Sequence, residues 1–266
     1  MKDNLIFLTE EELDKSIYRV FSYERLNEIL TEKKLTLVKP KCWDDPFENF
    51  ILKSTGILPD GREFQIGFRD DFYGQCWSLL RESDAMWRIY SPPKEEEIGG
   101  KKRKVYEGVK VKTTIRKLFT PLFQVGGEYQ KWDGTSYNLS SFVGRVKYEN
   151  EKKLVEMLKD EQRMSGKIFD QSGWGQASTF FFKRVAFKHE KEVRLIYNSQ
   201  GNNSSDIFKF DIDPNSLFDE IVFDPRMTKE KYEDFKDLVR QQGFNNKIIK
   251  SSLYTLKSFT MPVRTP

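Results

Sequence analysis

The sequence predicts one α+β domain. Short apolar runs with strand character alternate with capped amphipathic helices from residue 17 to residue 250, and no repeat, low-complexity linker or composition break divides them. Aromatic residues make up 14% of the 266-residue chain, 22 of them Phe, which is ample material for a packed interior and argues against a disordered chain.

Taken in order, residues 17–21 form a strand, and Ser22 is placed to cap a helix over 23–33 whose Leu26, Ile29 and Leu30 share one face. Residues 35–38 follow as a short strand closed by Pro40. Trp43 to Glu48 is rich in acids and aromatics, and its Asp-Pro pair predicts an ordered turn. Residues 74–80 read as a buried strand. Ser83 caps a short helix over 84–90 that stops before Pro92-Pro93. Residues 105–112 alternate like a half-exposed strand, and Thr113-Thr114 open a helix containing Ile115 and Leu118. Residues 142–148 are strand-like, 151–163 a charged helix and 165–178 a loop rich in Gly, Ser and Gln. After Phe180 to Arg184, strands are expected at 187–197, 207–212 and 217–223. A turn at 224–228 lets Thr228 cap a helix to about 238 that Gly243 ends, and 247–250 is a late strand.

Composition narrows the chemistry. Lys and Arg number 45 against 41 Asp and Glu, and a net charge of +4 neither demands nor excludes a nucleic-acid partner. Cys42, Cys76 and the single His189 fall in no metal-ligand spacing, so no metal site is expected; Asp44, Asp45 and Glu48 read as a capped turn before they read as ligands. Gly-x-Ser-x-Gly, Gly-x-Gly-x-x-G and P-loop patterns are all missing. Acids at 10–12 directly after the first apolar residues fit neither a signal peptide nor a membrane span, and a reduced, cytoplasmic protein is the expectation.

The most informative stretch is 187–197. On a strand, Val193, Leu195 and Tyr197 take one face and Glu190, Glu192 and Arg194 the other. Two carboxylates two residues apart repel each other, and one arginine neutralises part of that charge. In water this is a solvated face with a salt-bridged Arg194; in a cleft it is a site. A second feature is the basic stretch from Lys101 to Lys117. It opens with Lys101, Lys102, Arg103 and Lys104, and it can track a phosphate backbone or be a solvated loop.

The order of several motifs resembles a known family. Tyr18-Arg19 with its helix is followed by Asp45-Pro46-Phe47-Glu48, Cys76-Trp77-Ser78 and Met86-Trp87-x-x-Tyr90. Lys183, Glu190-x-Glu192-x-Arg194 and Glu220-Ile221-Val222-x-x-Pro225 complete it. This set is similar to a bacterial and phage family labelled a domain of unknown function and related to ADP-ribosyltransferases, some members of which act as toxins in phage defence. The resemblance runs from Tyr18 to Tyr254. It implies a split β-sheet core with flanking helices and inserted loops, with NAD as co-substrate. It further implies transfer of ADP-ribose to a macromolecule, in a phage-defence or toxin–antitoxin setting with a possible antitoxin protein as partner.

Carried over by motif, Arg19 comes first, Ser78 second and Glu190 with Glu192 last. A full Ser-Thr-Ser element is missing, and in a His/Tyr variant Tyr18 or Tyr90 would be the residue to consider instead. In that chemistry Glu192 would bind the ribose hydroxyls and face an oxocarbenium-like transition state, and Glu190 would orient or deprotonate the acceptor. Arg19 would hold the pyrophosphate or adenosine side, Ser78 would bond the ribose or support Glu192, and Trp87 and Tyr90 would wall the nicotinamide. Each has a plainer role: Arg19 in a sheet-edge salt bridge, Ser78 as a core hydroxyl, Trp87 and Tyr90 in core packing. The basic stretch favours RNA over protein as acceptor. The alternatives are a protein acceptor, an NAD glycohydrolase, or a non-catalytic module that binds nucleic acid or protein.

Overall fold

The computed structural model describes every residue except Asp44, Pro46, Asn49, Thr135, Asn203, Lys257, Thr265 and Pro266. Ten strands among the described residues build the main sheet: β1 (Leu5–Ile6), β2 (Ser16–Ser22), β3 (Lys34–Val38), β4 (Phe72–Ser78), β5 (Gly108–Thr114), β6 (Ser141–Arg145), β7 (Glu192–Asn198), β8 (Ile207–Asp211), β9 (Glu220–Phe223) and β10 (Lys247–Lys250). Their order is β1-β6-β7-β4-β2-β5-β9-β10. The pairs β1–β6 and β9–β10 are parallel and the rest antiparallel, so the α+β expectation holds.

The sheet forks at β4. One edge of β4 is paired along its whole length with β7, from Ser78↔Glu192 to Phe72↔Asn198. The other edge is shared: β2 meets it at Tyr18↔Ser78, and β3, which carries β8, meets it at Val38↔Gly74.

Helices α1 (Tyr23–Glu32), α2 (Asp84–Tyr90), α3 (Ile115–Val125), α4 (Glu151–Leu158), α5 (Glu161–Ile168) and α6 (Lys229–Gln241) pack on its two faces. Each starts on a side-chain cap that accepts from the third helical N–H: Ser22, Ser83, Thr114, Asn150, Asp160 and Thr228 in turn. Leu26, Ile29 and Leu30 of α1, Leu118 and Phe119 of α3 and Val239 of α6 cover one face, over Ile17, Trp77, Val111, Val193 and Leu195. On the other face Leu154, Met157, Met164 and Phe180 to Phe182 cover Ile6, Phe72, Phe142 and Ile196. Farther along that face Trp87 of α2 packs on Val20 and Val222. Glu192 and Arg194 share the face of Ile196, in the seam between these two apolar clusters. None of the described helices is long and apolar enough to cross a membrane.

Several sequence expectations give way. Residues 105–112 are not one half-exposed strand. Lys101–Val105 pairs with Lys94–Ile98 around Gly99-Gly100, whose φ values of +61° and +74° suit a two-residue hairpin turn. β5 is central and buried, and its Lys110 enters the interior because Glu82 meets it. The 142–148 strand divides: β6 ends at Arg145, and Lys147–Glu149 leaves to pair in parallel with Phe182–Arg184. Asp160 breaks the expected long helix by capping α5, which extends into the expected loop at 165–178, and Trp174–Ser178 adds a further helical turn there. Pro214–Leu217 is helical, and β9 begins at Glu220. In the 43–48 turn Asp44 and Pro46 lie outside the described residues; around them Asp45 accepts from the N–H groups of Phe47 (through Oδ1, 3.0 Å) and Glu48 (through its carbonyl, 2.9 Å).

Candidate active site

The strand expected over 187–197 starts late. Val185–Glu190 forms 3-10 turns, Lys191 adopts a left-handed φ of +46°, and β7 begins at Glu192. Glu190 therefore does not share a strand face with Glu192 and Arg194. The reversal at Lys191 nevertheless turns both carboxylates onto one ammonium, since Lys183 Nζ donates to Glu190 Oε2 at 2.6 Å and to Glu192 Oε1 at 2.9 Å. Glu48 Oε1 lies 3.1 Å from the same nitrogen.

Arg194 closes the far side. Its Nε donates to Glu192 Oε2 at 2.7 Å, its Nη1 to the Phe180 carbonyl at 2.6 Å, and its Nη2 stands 2.9 Å from Glu48 Oε2 in an ion pair outside hydrogen-bond angles. Trp43 and Phe187 face the two cations, with ring centroids 4.8 Å from the guanidinium carbon of Arg194 and 4.5 Å from Lys183 Nζ. All five charged residues are at most 6% exposed. Three carboxylates against two cations leave one negative charge in surplus, and ions so deeply buried persist through this mutual pairing.

The surplus is unevenly held. Burial foremost, then Glu192 beside it, push the Glu190 carboxyl up to about 7. Burial acts on Glu192 in the same sense but is outweighed by Arg194, Glu190 and Lys183, so its carboxyl falls well below the usual range. Burial also raises Glu48. The Glu190–Glu192 pair thus titrates as a unit in which the surroundings favour the proton on Glu190 and the charge on Glu192.

The other expected residues divide into two groups. Ser78 Oγ donates to the Glu190 carbonyl at 2.6 Å, and Tyr90 Oη donates to Glu190 Oε1 at 3.2 Å, so both touch the cluster. Tyr18, Ser78 and Trp87 line one narrow cleft of about 10 Å³ with Lys110 and Glu82. Trp87 is not an open nicotinamide wall. It is 1% exposed, its indole N–H donates to Glu82 at 2.6 Å, and Lys110 Nζ already stands 5.6 Å from its ring centroid.

Arg19 stands apart. Strand alternation places it with Ile17 and Phe21 on the face opposite Tyr18, where β2 and β4 separate. Its guanidinium has no hydrogen bond or ion pair among the described residues, and burial holds it down to about 10. An arginine without an anion suits a phosphate ligand.

Lys101, Lys102, Arg103 and Lys104 lie away from this group, exposed on their hairpin strand. Their register partners include Glu95, Glu96 and Glu97, so a facing row of acids offsets the basic run. Glu48, Lys183 and Arg194 were given no catalytic part by sequence reasoning. A lysine following Phe180-Phe181-Phe182 was the available signal, because an ammonium in an apolar run needs buried carboxylates.

No protein-family model and no curated protein match this chain. Among solved structures, DarT of Thermus sp. 2.9 in complex with NAD+ is 12% identical over 90% of this chain and 96% of that one, with a TM-score of 0.34. The same protein in complex with ADP-ribosylated ssDNA is 13% identical over 90% and 94%, with a TM-score of 0.35. At such identity and TM-score these are distant likenesses.

Proposed function

We propose that this chain is an NAD-dependent ADP-ribosyltransferase acting on a macromolecule, with Glu192 as its principal catalytic carboxylate. The observation that carries the reading is the state of Glu192. It is held ionised and oriented by Arg194 and Lys183 at the start of β7, across from Ser78. A fixed carboxylate of this kind stabilises positive charge developing at an anomeric carbon, because its dipoles and partners need no reorganisation as the charge appears. NAD supplies that carbon and a nicotinamide leaving group. Tyr18 and Ser78, on the Glu192 face, would border the ribose, and Arg19, which has no anionic partner among the described residues, would take the pyrophosphate by reaching through the fork between β2 and β4. A cleft of about 10 Å³ admits one water, so NAD binding requires this cleft to widen.

Because Glu95 to Glu97 face the basic strand, the ground for preferring RNA is weak, and the acceptor class is decided by assay. Incubation with labelled NAD should leave label in a nucleic-acid or protein fraction with wild type and none with Glu192→Gln. Free ADP-ribose with no retained label would identify a glycohydrolase instead. A toxic role with an antitoxin partner belongs to the same reading, and it predicts growth arrest on expression that Glu192→Gln relieves.

One observation favours a second reading. The five charges pair with one another and each is at most 6% exposed, as in a non-catalytic binding module that keeps the cluster for its fold. Absence of NAD turnover in the presence of total nucleic acid and lysate would establish that reading in place of the transferase.

A further inference from the structure

A buried base cannot take a proton from a macromolecule unless something connects the two. Glu190 is 4% exposed, and its partners Lys183, Glu192 and Glu48 are equally enclosed. Two neighbours bond the cluster through its backbone alone: Ser78 through the Glu190 carbonyl, and Tyr148 through the Glu192 N–H at 2.8 Å. Tyr90 differs. Its phenol donates directly to Glu190 Oε1, and the residue is 40% exposed. Among the described residues it is the one uncharged side chain that joins a cluster carboxylate to the surface.

We propose that Tyr90 is a catalytic proton relay, carrying the proton of the acceptor nucleophile to the Glu190 carboxylate. The inference rests on the transferase reading above and gives Tyr90 a different role from a nicotinamide wall. Atoms and electrons balance as follows. The acceptor lone pair forms the bond to C1′ of the ribose, and the C1′–N1 bond breaks with its electron pair going to nicotinamide, which leaves neutral. The acceptor proton passes to Tyr90 Oη while the phenolic proton passes to Glu190, and that proton is later released to solvent. Tyr90 is never left as a phenolate, which suits a phenol whose ionisation is opposed first by burial and then by Glu190.

The surroundings support this direction of transfer. Facing Glu190 are Lys183 from 182–184, Glu192 and Arg194 from β7, Glu48 from the turn after β3, Tyr148 from 147–149 and Tyr90 from α2. The surplus carboxylate in this box has a ready place for one proton, and Glu190 takes it near neutrality. The ring is also held in place. Tyr90 is the last residue of α2, Ser83 caps the helix start, and Trp87 is anchored on Glu82 one turn earlier.

The test compares wild type, Tyr90→Phe, Tyr90→Ala and Glu190→Gln in the labelled-NAD assay. It is paired with a 13C titration of the Glu190 carboxyl in protein without NAD, assigned by its loss in Glu190→Gln. Tyr90→Phe keeps the ring, so a relay predicts a fall of about 10²-fold in kcat with KM for NAD unchanged. It also predicts an upward displacement of the Glu190 midpoint as the donated hydrogen bond is lost. Wild-type kcat in Tyr90→Phe combined with a raised KM in Tyr90→Ala would overturn the relay in favour of a wall, and an unmoved Glu190 titration would remove its physical link. If wild type turns over no NAD, the relay falls with the transferase reading, while the titration still reports whether Tyr90 governs Glu190.

Discussion

Lys183 shows what one side chain can decide. Its ammonium meets three carboxylates, and removing it would leave them facing Arg194 alone. Lys183→Met should cost about 3–5 kcal/mol in urea unfolding at pH 8, the range for breaking a buried pair. The cost should shrink at pH 5, where protons can replace the lost charge, and an equal cost at both pH values would argue against the charge origin. Glu192 and Arg194 were legible in the sequence because strand alternation is a local rule. The reversal at Lys191 was not, since a lysine with positive φ has no local sequence signature, and it is this residue that brings Glu190 back to the cluster.

At the level of elements, capped helices were the most legible features. Ser83 and the helix over 84–90, and the strand over 247–250, stand where the sequence placed them, because cap, periodicity and stop signals lie within a few residues. The 94–105 hairpin was less legible: its basic half reads as a nucleic-acid stripe until the acids across the Gly-Gly turn are seen as its partners. Contacts distant in sequence left weaker traces still. A Cβ on Gly144 would meet the Ile6 carbonyl oxygen at 2.2 Å, so only glycine lets β1 lie against β6. Gly144→Ala should destabilise by about 1–3 kcal/mol, read as a lowered denaturation midpoint. It should also speed amide exchange at Leu5 and Ile6 ahead of the rest of the sheet, and uniform exchange across the sheet would contradict the local origin.

For the whole molecule, the cluster sets a pH profile of stability with two opposing limbs. Glu190 has a folded-state pKa raised from about 4.5 to about 7, so its contribution is complete below 4.5 and is lost as pH rises through 7. Glu192 is depressed, so its contribution is present above 4.5 and is lost as pH falls through its lowered value. Unfolding free energy measured from pH 3 to 8 should decline between 4.5 and 7, and Glu190→Gln should flatten that decline. A profile unchanged by the substitution would show that Glu190 is not its source. The α+β class was legible from interleaved local patterns. The fork was not, because it depends on β2 and β3, far apart in sequence, sharing one edge of β4.

The same cluster bears on how the chain reaches its native state. Glu48 comes from the first fifth of the sequence, whereas Lys183, Glu190, Glu192 and Arg194 come from beyond its midpoint. Loop closure over more than half the chain must therefore precede their meeting, and until then every one of these charges is better off in water. Such non-local assembly slows folding toward the millisecond-to-second range and makes dehydration of five ions a late event on the path. An interruption of synthesis before residue 183 would leave Glu48 solvated, with no cation of this cluster to draw its segment into the fold.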